Sequence, residues 1–285
     1  MKAVIKLFLV LITAFNCACS QKDAQIEELQ WRVDKIHSQI LKEDIGFRVY
    51  LPEGYEKSHE RYSVLFLTSN WKPIFSYTVG VVKLLSDLNK IPKLIIVSAD
   101  CNRWRDMTPT VTPSHGLNTG GADKYLNFFE KELIPLLKQK YRFGSERIIW
   151  SHSIEATFAL YAILSKPGLF QTVLASSPWF PYELSDEEAD KYGTECYNHE
   201  KGFIIKSMEE FLSKRANEKN FLFMSIGNEP ELMPYFEQAI NILERTSPKG
   251  LIWKSSKWLN ENHQSMLLYS LTAGLLARYS QKELN

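Results

Sequence analysis

Five consecutive residues, Ser151-His152-Ser153-Ile154-Glu155, include hydroxyl, imidazole and carboxylate side chains suited to nucleophilic chemistry. The apolar run Ile148, Ile149, Trp150 precedes them, and Ile154, Phe158 and Tyr161 recur at helical spacing, so the stretch reads as strand, sharp turn and helix. Such a turn lifts one side chain, here Ser153, towards a cleft, with a helix N-terminus beneath it to favour developing negative charge. The pattern is G-x-S-x-G with Ser151 and Glu155 in the glycine positions. A serine between strand and helix also serves as an N-cap, so the pentapeptide alone leaves a structural reading open.

A serine nucleophile needs a base, and the base needs an orienting group. His263 stands just ahead of the last helical pattern, and Gly227-Asn228-Glu229-Pro230-Glu231 places two carboxylates after an apolar run at 221–226. The order is therefore Ser, acid, His, with Ser153 attacking and His263 taking its proton and later delivering it to a leaving alcohol. His263 could instead be a surface histidine capping the last helix. The other five histidines lack its position, and His152 reads as structural.

The elements that must position these residues alternate. Strands are expected at 31–41 and 45–51 as an opening hairpin, then at 62–68, 94–99, 148–150, 172–176, 221–226 and 251–254. Helices are expected at 79–88, 123–141, after Ser153, at 233–245 and at 263–279. Strands alternating with helices imply an α/β fold with a largely parallel central sheet covered on both faces. Ligands in such sheets bind at the carboxyl ends of the strands, which directs attention to Trp71, Trp104, Arg105, Trp179 and Phe180 as well as Ser153 and His263. Arg105 and Asp106 could position substrate or pair across the base of their loop. The aromatic residues could line a pocket or pack in the core. Residues 181–202 form a polar excursion that could cap the site or be a surface loop.

The 45% hydrophobic and 13% aromatic content supplies a buried core. With 34 Lys plus Arg against 33 Asp plus Glu, the formal charge is +1 and no basic cluster interleaves with aromatics, so nucleic acid is not an expected partner. Residues 1–19 have the shape of a signal peptide, and Asn16-Cys17-Ala18-Cys19 resembles a bacterial lipoprotein cleavage site with Cys19 as the lipidated residue. Ordinary signal cleavage or a retained anchor is the alternative. Residues 20–30 would then be a polar tether, and the chain is expected to be exported to a bacterial cell envelope as a periplasmic or outer-membrane-anchored lipoprotein, touching the membrane only through its lipid. Cys101 and Cys196 remain in the body, where an oxidising compartment would permit but not require a disulfide. No H-E-x-x-H, no CxxC pair and no phosphate-binding glycine motif occurs, so neither metal nor cofactor is expected.

From about Gly46 to Tyr279 the chain resembles the Putative esterase family of α/β-hydrolases, which includes siderophore esterases, feruloyl and acetyl-xylan esterases and esterase D type thioesterases. The segments that carry the likeness are Arg48-Val-Tyr-Leu-Pro-Glu-Gly-Tyr55, Arg103-Trp-Arg-Asp-Met-Thr-Pro-Thr110, Gly120-Gly-Ala-Asp-Lys-Tyr-Leu-Asn-Phe-Phe-Glu-Lys-Glu-Leu-Ile-Pro135, Ser151-His-Ser-Ile-Glu155, Ser176-Ser-Pro-Trp179 and Glu261-Asn-His-Gln-Ser265. The likeness is strongest to the siderophore-esterase-like branch. It implies an α/β-hydrolase fold over 31–285 as one domain, Ser153 as nucleophile, His263 as base and Glu229 as acid, with Glu231 the alternative acid. The oxyanion donors would be the backbone N–H of Ile154 and that of Asn70 or Trp71. In that loop the family shows Leu-Asp-Gly where this chain has Thr68-Ser69-Asn70, and Asn tolerates a left-handed backbone. The implied activity is hydrolysis of a small-molecule carboxylic ester, such as a siderophore or a hydroxycinnamoyl or acetyl sugar ester. A ligand- or glycan-binding relative without catalysis, and an acyltransferase, are the alternatives.

Overall fold

Apolar runs bounded by turn residues become the strands. They are β1 (Arg32–Ser38), β2 (Glu43–Tyr50), β3 (Tyr62–Leu67), β4 (Leu94–Ala99), β5 (Phe143–His152), β6 (Thr172–Ser176), β7 (Asn220–Gly227) and β8 (Leu251–Trp258) in a computed structural model. It describes residues 31–69, 71–111, 118–180, 203–213 and 219–280. The expectations for residues 1–30 and Cys19, for Asn70, and for residues 181–202 with Cys196 lie outside these residues.

The strands form one sheet in the order β1-β2-β4-β3-β5-β6-β7-β8. β1 and β2 are an antiparallel hairpin, and β2 runs antiparallel to β4. From β4 to β8 every pairing is parallel. The sheet is therefore largely parallel, as the alternation of strands and helices implied. Every residue of β4, β6 and β7 is buried, the mark of strands covered on both faces.

The helices are α1 (Lys72–Asp87), α2 (Arg103–Met107), α3 (Ala122–Phe128), α4 (Ile134–Lys140), α5 (Ile154–Ser165), α6 (Phe203–Ser213), α7 (Met233–Thr246) and α8 (Met266–Tyr279). α1 and α8 share one face, and the others named here cover the opposite one. On that opposite face Phe66 of β3 is fully buried, with the rings of Phe129, Phe143 and Phe170 at 5.6, 6.4 and 5.7 Å. Replacing such a residue by alanine costs about 3–5 kcal/mol, so Phe66→Ala is the single change that most directly loosens this layer. On the other face Gly274 lets α8 approach closely, because a Cβ there would meet Leu174 at 3.0 Å.

Several element bounds differ from expectation for local reasons. α1 begins at Lys72 rather than at 79, since Pro73 falls in its first turn, where the missing N–H costs nothing. The helix expected over 123–141 is interrupted by a π turn at Phe129–Leu133. Pro135 follows it, and widening the preceding turn accommodates a ring that would clash with the carbonyl four residues back. α2 and α6 form in segments read as loop or left unassigned. β8 runs on to Trp258, and α8 starts at Met266 instead of 263. The last shift matters most. Asn262 Oδ1 accepts from the N–H groups of Gln264 and Ser265, and this local turn competes with helix, so His263 projects from a tight turn.

Candidate active site

The elbow between β5 and α5 is built as its sequence suggested. Ser153 adopts φ 62° and ψ −129°, a conformation that costs a non-glycine residue on the order of 1–3 kcal/mol. The surroundings hold it there. Its N–H donates to Ser176 O at 2.9 Å, and its carbonyl accepts from Ala156 at 2.9 Å and Trp179 at 3.2 Å. α5 behind it is buried along Ala156–Leu164, as a helix lodged between the sheet and α6 must be. Its first N–H groups, Ile154's foremost, have no intrahelical acceptor and sit beside Ser153.

His263 Nε2 lies 3.0 Å from Ser153 Oγ, and His263 Nδ1 lies 2.5 Å from Glu229 Oε2. A carboxylate only accepts, so the ring proton resides on Nδ1, and Nε2 is left as the acceptor for the Ser153 hydroxyl. Parallel pairing of β5, β6, β7 and β8 is what converges these residues, because each comes from the loop or turn at the carboxyl end of its strand.

Glu229 is 8% exposed and accepts from Ser177 Oγ at 2.5 Å and from the Gly227 N–H at 3.1 Å through its other oxygen. Burial by itself pushes the carboxyl up, but the hydrogen bonds from His263, Ser177 and Gly227 outweigh it and hold Glu229 below the usual carboxylate range. Glu231 is exposed, and the carboxylate bonded to His263 is that of Glu229. Gly227 makes the approach possible, since a Cβ there would lie 2.5 Å from Glu261 O, and the Asn228 N–H donates to that same carbonyl at 2.6 Å.

Next to this relay is a cavity of about 350 Å³, lined among others by Thr68, Trp71, Cys101, Arg103, His152 and Glu155. Glu155, in the second elbow glycine position, points its carboxylate into the wall and pairs with Arg103 Nη2 at 3.2 Å. Burial raises the Glu155 carboxyl and Arg103 opposes that rise. The Cys101 thiol donates to Thr68 O at 2.8 Å, and burial pushes its pKa well up, so it is a protonated hydrogen-bond donor. Among the described residues no group of three or more His, Cys, Asp or Glu side chains is arranged to hold a metal ion.

For Arg105, Trp104 and Trp179 the structural alternative is the one observed. Arg105 does not face the cavity. It is bound to Asp106 at 2.6 and 2.9 Å and to Glu43, and with Asp106 taking the Asn102 N–H at 2.7 Å it ties down the loop base. Arg103, two residues earlier, lines the cavity instead, because α2 turns the two side chains to different sides. Trp104 and Trp179 pack edge to face at 5.7 Å against the core rather than in the cavity wall, although Trp71 does reach it. The Trp71 N–H is directed at Ser69 Oγ, 3.3 Å away, and its carbonyl accepts from Ile74 and Phe75 at the start of α1. Ser177 is a further contributor. It lay in the Ser176-Ser-Pro-Trp179 segment, but nothing local shows that its hydroxyl meets a glutamate 52 residues on.

Comparison with known proteins agrees with this architecture. Ferri-bacillibactin esterase BesA of Bacillus subtilis is 27% identical over 166 residues, 54% of this chain and 49% of that protein. A siderophore enterobactin esterase of Emericella nidulans is 24% identical over 170 residues, 55% of this chain and 56% of that protein. The chain thus spans about half the length of the curated relatives it matches. A crystal structure of an IroE-like serine hydrolase from Shewanella oneidensis superposes with a TM-score of 0.74 at 26% identity, covering 88% of this chain and 80% of that one. The family model described as Putative esterase matches residues 38–251, which hold β2 to β7 and α1 to α7, and the chain therefore belongs to the Putative esterase family.

Proposed function

We propose that this protein is a serine esterase that hydrolyses a carboxylic ester of a small molecule through an acyl-enzyme on Ser153. The observation that carries the reading is the continuous hydrogen-bonded relay from Ser153 Oγ through His263 to Glu229. Ser153 Oγ attacks the ester carbonyl carbon as His263 Nε2 takes its proton, and Glu229 stabilises the resulting imidazolium. The Ile154 N–H and the α5 N-terminus face the developing oxyanion. Collapse of the tetrahedral intermediate breaks the bond to the alcohol, which receives the proton from His263. A water molecule, deprotonated by His263, then attacks the acyl carbon and releases the acid and free Ser153.

The relatives named as siderophore esterases make a siderophore ester the first substrate class to screen, followed by hydroxycinnamoyl and acetyl sugar esters. Export as a lipoprotein through Cys19 completes the reading and rests on the leader sequence. Glu155 at the elbow favours one competing idea, a binding module without catalysis. The strained Ser153 and the relay behind it weigh for the enzyme, because neither is needed to hold a ligand.

The test is mass spectrometry of the protein after exposure to a fluorophosphonate, beside Ser153→Ala. A single adduct on the native protein that is absent from the variant is expected. A folded protein that takes no adduct would return the reading to a binding module. Loss of metabolic lipid labelling in Cys19→Ala tests the anchor.

A further inference from the structure

His152 precedes the nucleophile and is not part of the relay, yet its ring lies against that of His263, centroid to centroid 4.7 Å with planes tilted by 44°. Its Nδ1 is 3.1 Å from Ser176 Oγ. Its buried Nε2 completes no hydrogen bond among the described residues. Ser176 and Ser177 are adjacent at the end of β6, and one hydroxyl holds His152 while the next holds Glu229. In a regular strand two successive side chains point to opposite faces. Ser177 leaves that alternation with φ 43°, and both hydroxyls serve neighbours of His263.

Resting on the esterase reading above, the geometry points to His152 as a positioning residue that keeps the His263 imidazole in line between Glu229 and Ser153. The mechanical reason is simple. Hydrogen bonds at Nδ1 and Nε2 pin two ends of the ring but let it rock about the line joining them. When Ser153 Oγ attacks, the bond at Nε2 is given up, and only Glu229 still holds the ring. A second ring packed against the imidazole restricts that freedom while the proton waits on Nε2 for the leaving alcohol. The electrostatics agree. Burial, followed by the nearby His263, pushes His152 down to about 3, so it stays neutral and does not repel a protonated His263.

The test compares the full chain with His152→Ala, His152→Phe and His152→Asn, using p-nitrophenyl acetate as probe. His152→Phe keeps a flat ring but loses the Ser176 bond, whereas His152→Asn keeps a hydrogen-bonding group but loses the ring. The expected result is a kcat lowered roughly 10- to 100-fold in His152→Ala and His152→Asn with little change in KM, the scale of an ångström-level misplacement, and substantial recovery in His152→Phe. The second readout is the far-downfield proton resonance of the His263 Nδ1–H to Glu229 bond, which does not depend on turnover. It should persist in the native protein and His152→Phe and broaden or vanish in His152→Ala. Equal kcat in all four proteins, or an unchanged resonance in a folded His152→Ala, overturns the proposal. A native protein without turnover whose resonance still follows this pattern removes the esterase reading and leaves the positioning role standing.

Discussion

Ser177 Oγ donates to Glu229 Oε1 at 2.5 Å and so occupies one oxygen of the carboxylate, leaving Oε2 to His263. The hydroxyl both satisfies a buried acceptor and fixes which way the carboxylate is turned. Ser177→Ala should lose about 1.5–3 kcal/mol of stability, the usual range for a hydrogen bond to a charged group, and about tenfold in kcat/KM. Urea unfolding and ester hydrolysis measure the two effects. A variant as stable and active as the native protein would show that the Gly227 N–H alone orients Glu229.

The two candidate acids separate cleanly. Glu229→Gln should reduce kcat/KM on the order of 10³- to 10⁴-fold, because an amide in that place favours the wrong tautomer of His263. Glu231→Gln changes an exposed side chain and should stay within roughly twofold. Equal losses in both variants would place the acid elsewhere.

Stability should fall with pH in two overlapping windows. His152 is depressed from 6.5 to about 3 in the folded protein, so between those values the unfolded chain binds a proton that the native one does not. Its contribution is complete above pH 6.5 and disappears on the way down to about 3. Glu229 is also lowered, from 4.5, so it contributes above that value and is lost as the pH falls below it. Chemical unfolding from pH 7.5 to 4 should show a decline that is shallower in His152→Phe, by an amount on the order of a few kcal/mol at pH 4. Parallel curves for the two proteins would refute the assignment to His152.

The Arg103–Glu155 pair is unequal in burial, with side chains 50% and 14% exposed. Removing the arginine strands a carboxylate inside the cavity wall, whereas removing the carboxylate leaves a cation that water still reaches. Arg103→Ala should therefore destabilise more than Glu155→Gln, by about 1–3 kcal/mol, and the double variant should recover part of that loss. Simple additivity in the double-variant cycle would mean that the pair is not coupled.

The chain order of the candidate residues and the strands and helices that carry them were legible because their signals are local. A continuous apolar run such as Val64, Leu65, Phe66 with turn residues at its end declares a buried strand, and the Ile154, Phe158, Tyr161 spacing declares the helix after Ser153. Pro73 blurred the start of α1 because proline reads as a breaker, although a first turn accepts it, whereas the π turn ahead of Pro135 left no mark in the apolar spacing of 123–141.

What the sequence by itself determined is therefore an α/β sheet with a serine turn, a later carboxylate pair and a late histidine in that order. Only the tertiary structure decided that Glu229 rather than Glu231 reaches His263, that Arg103 rather than Arg105 lines the cavity, and that His152 lies against His263. Each of these depends on the direction of a side chain across strands far apart in sequence. That direction is set by strand order, by positive φ at Ser153 and Ser177, and by the close approach that Gly227 permits, and spacing along the chain encodes none of these.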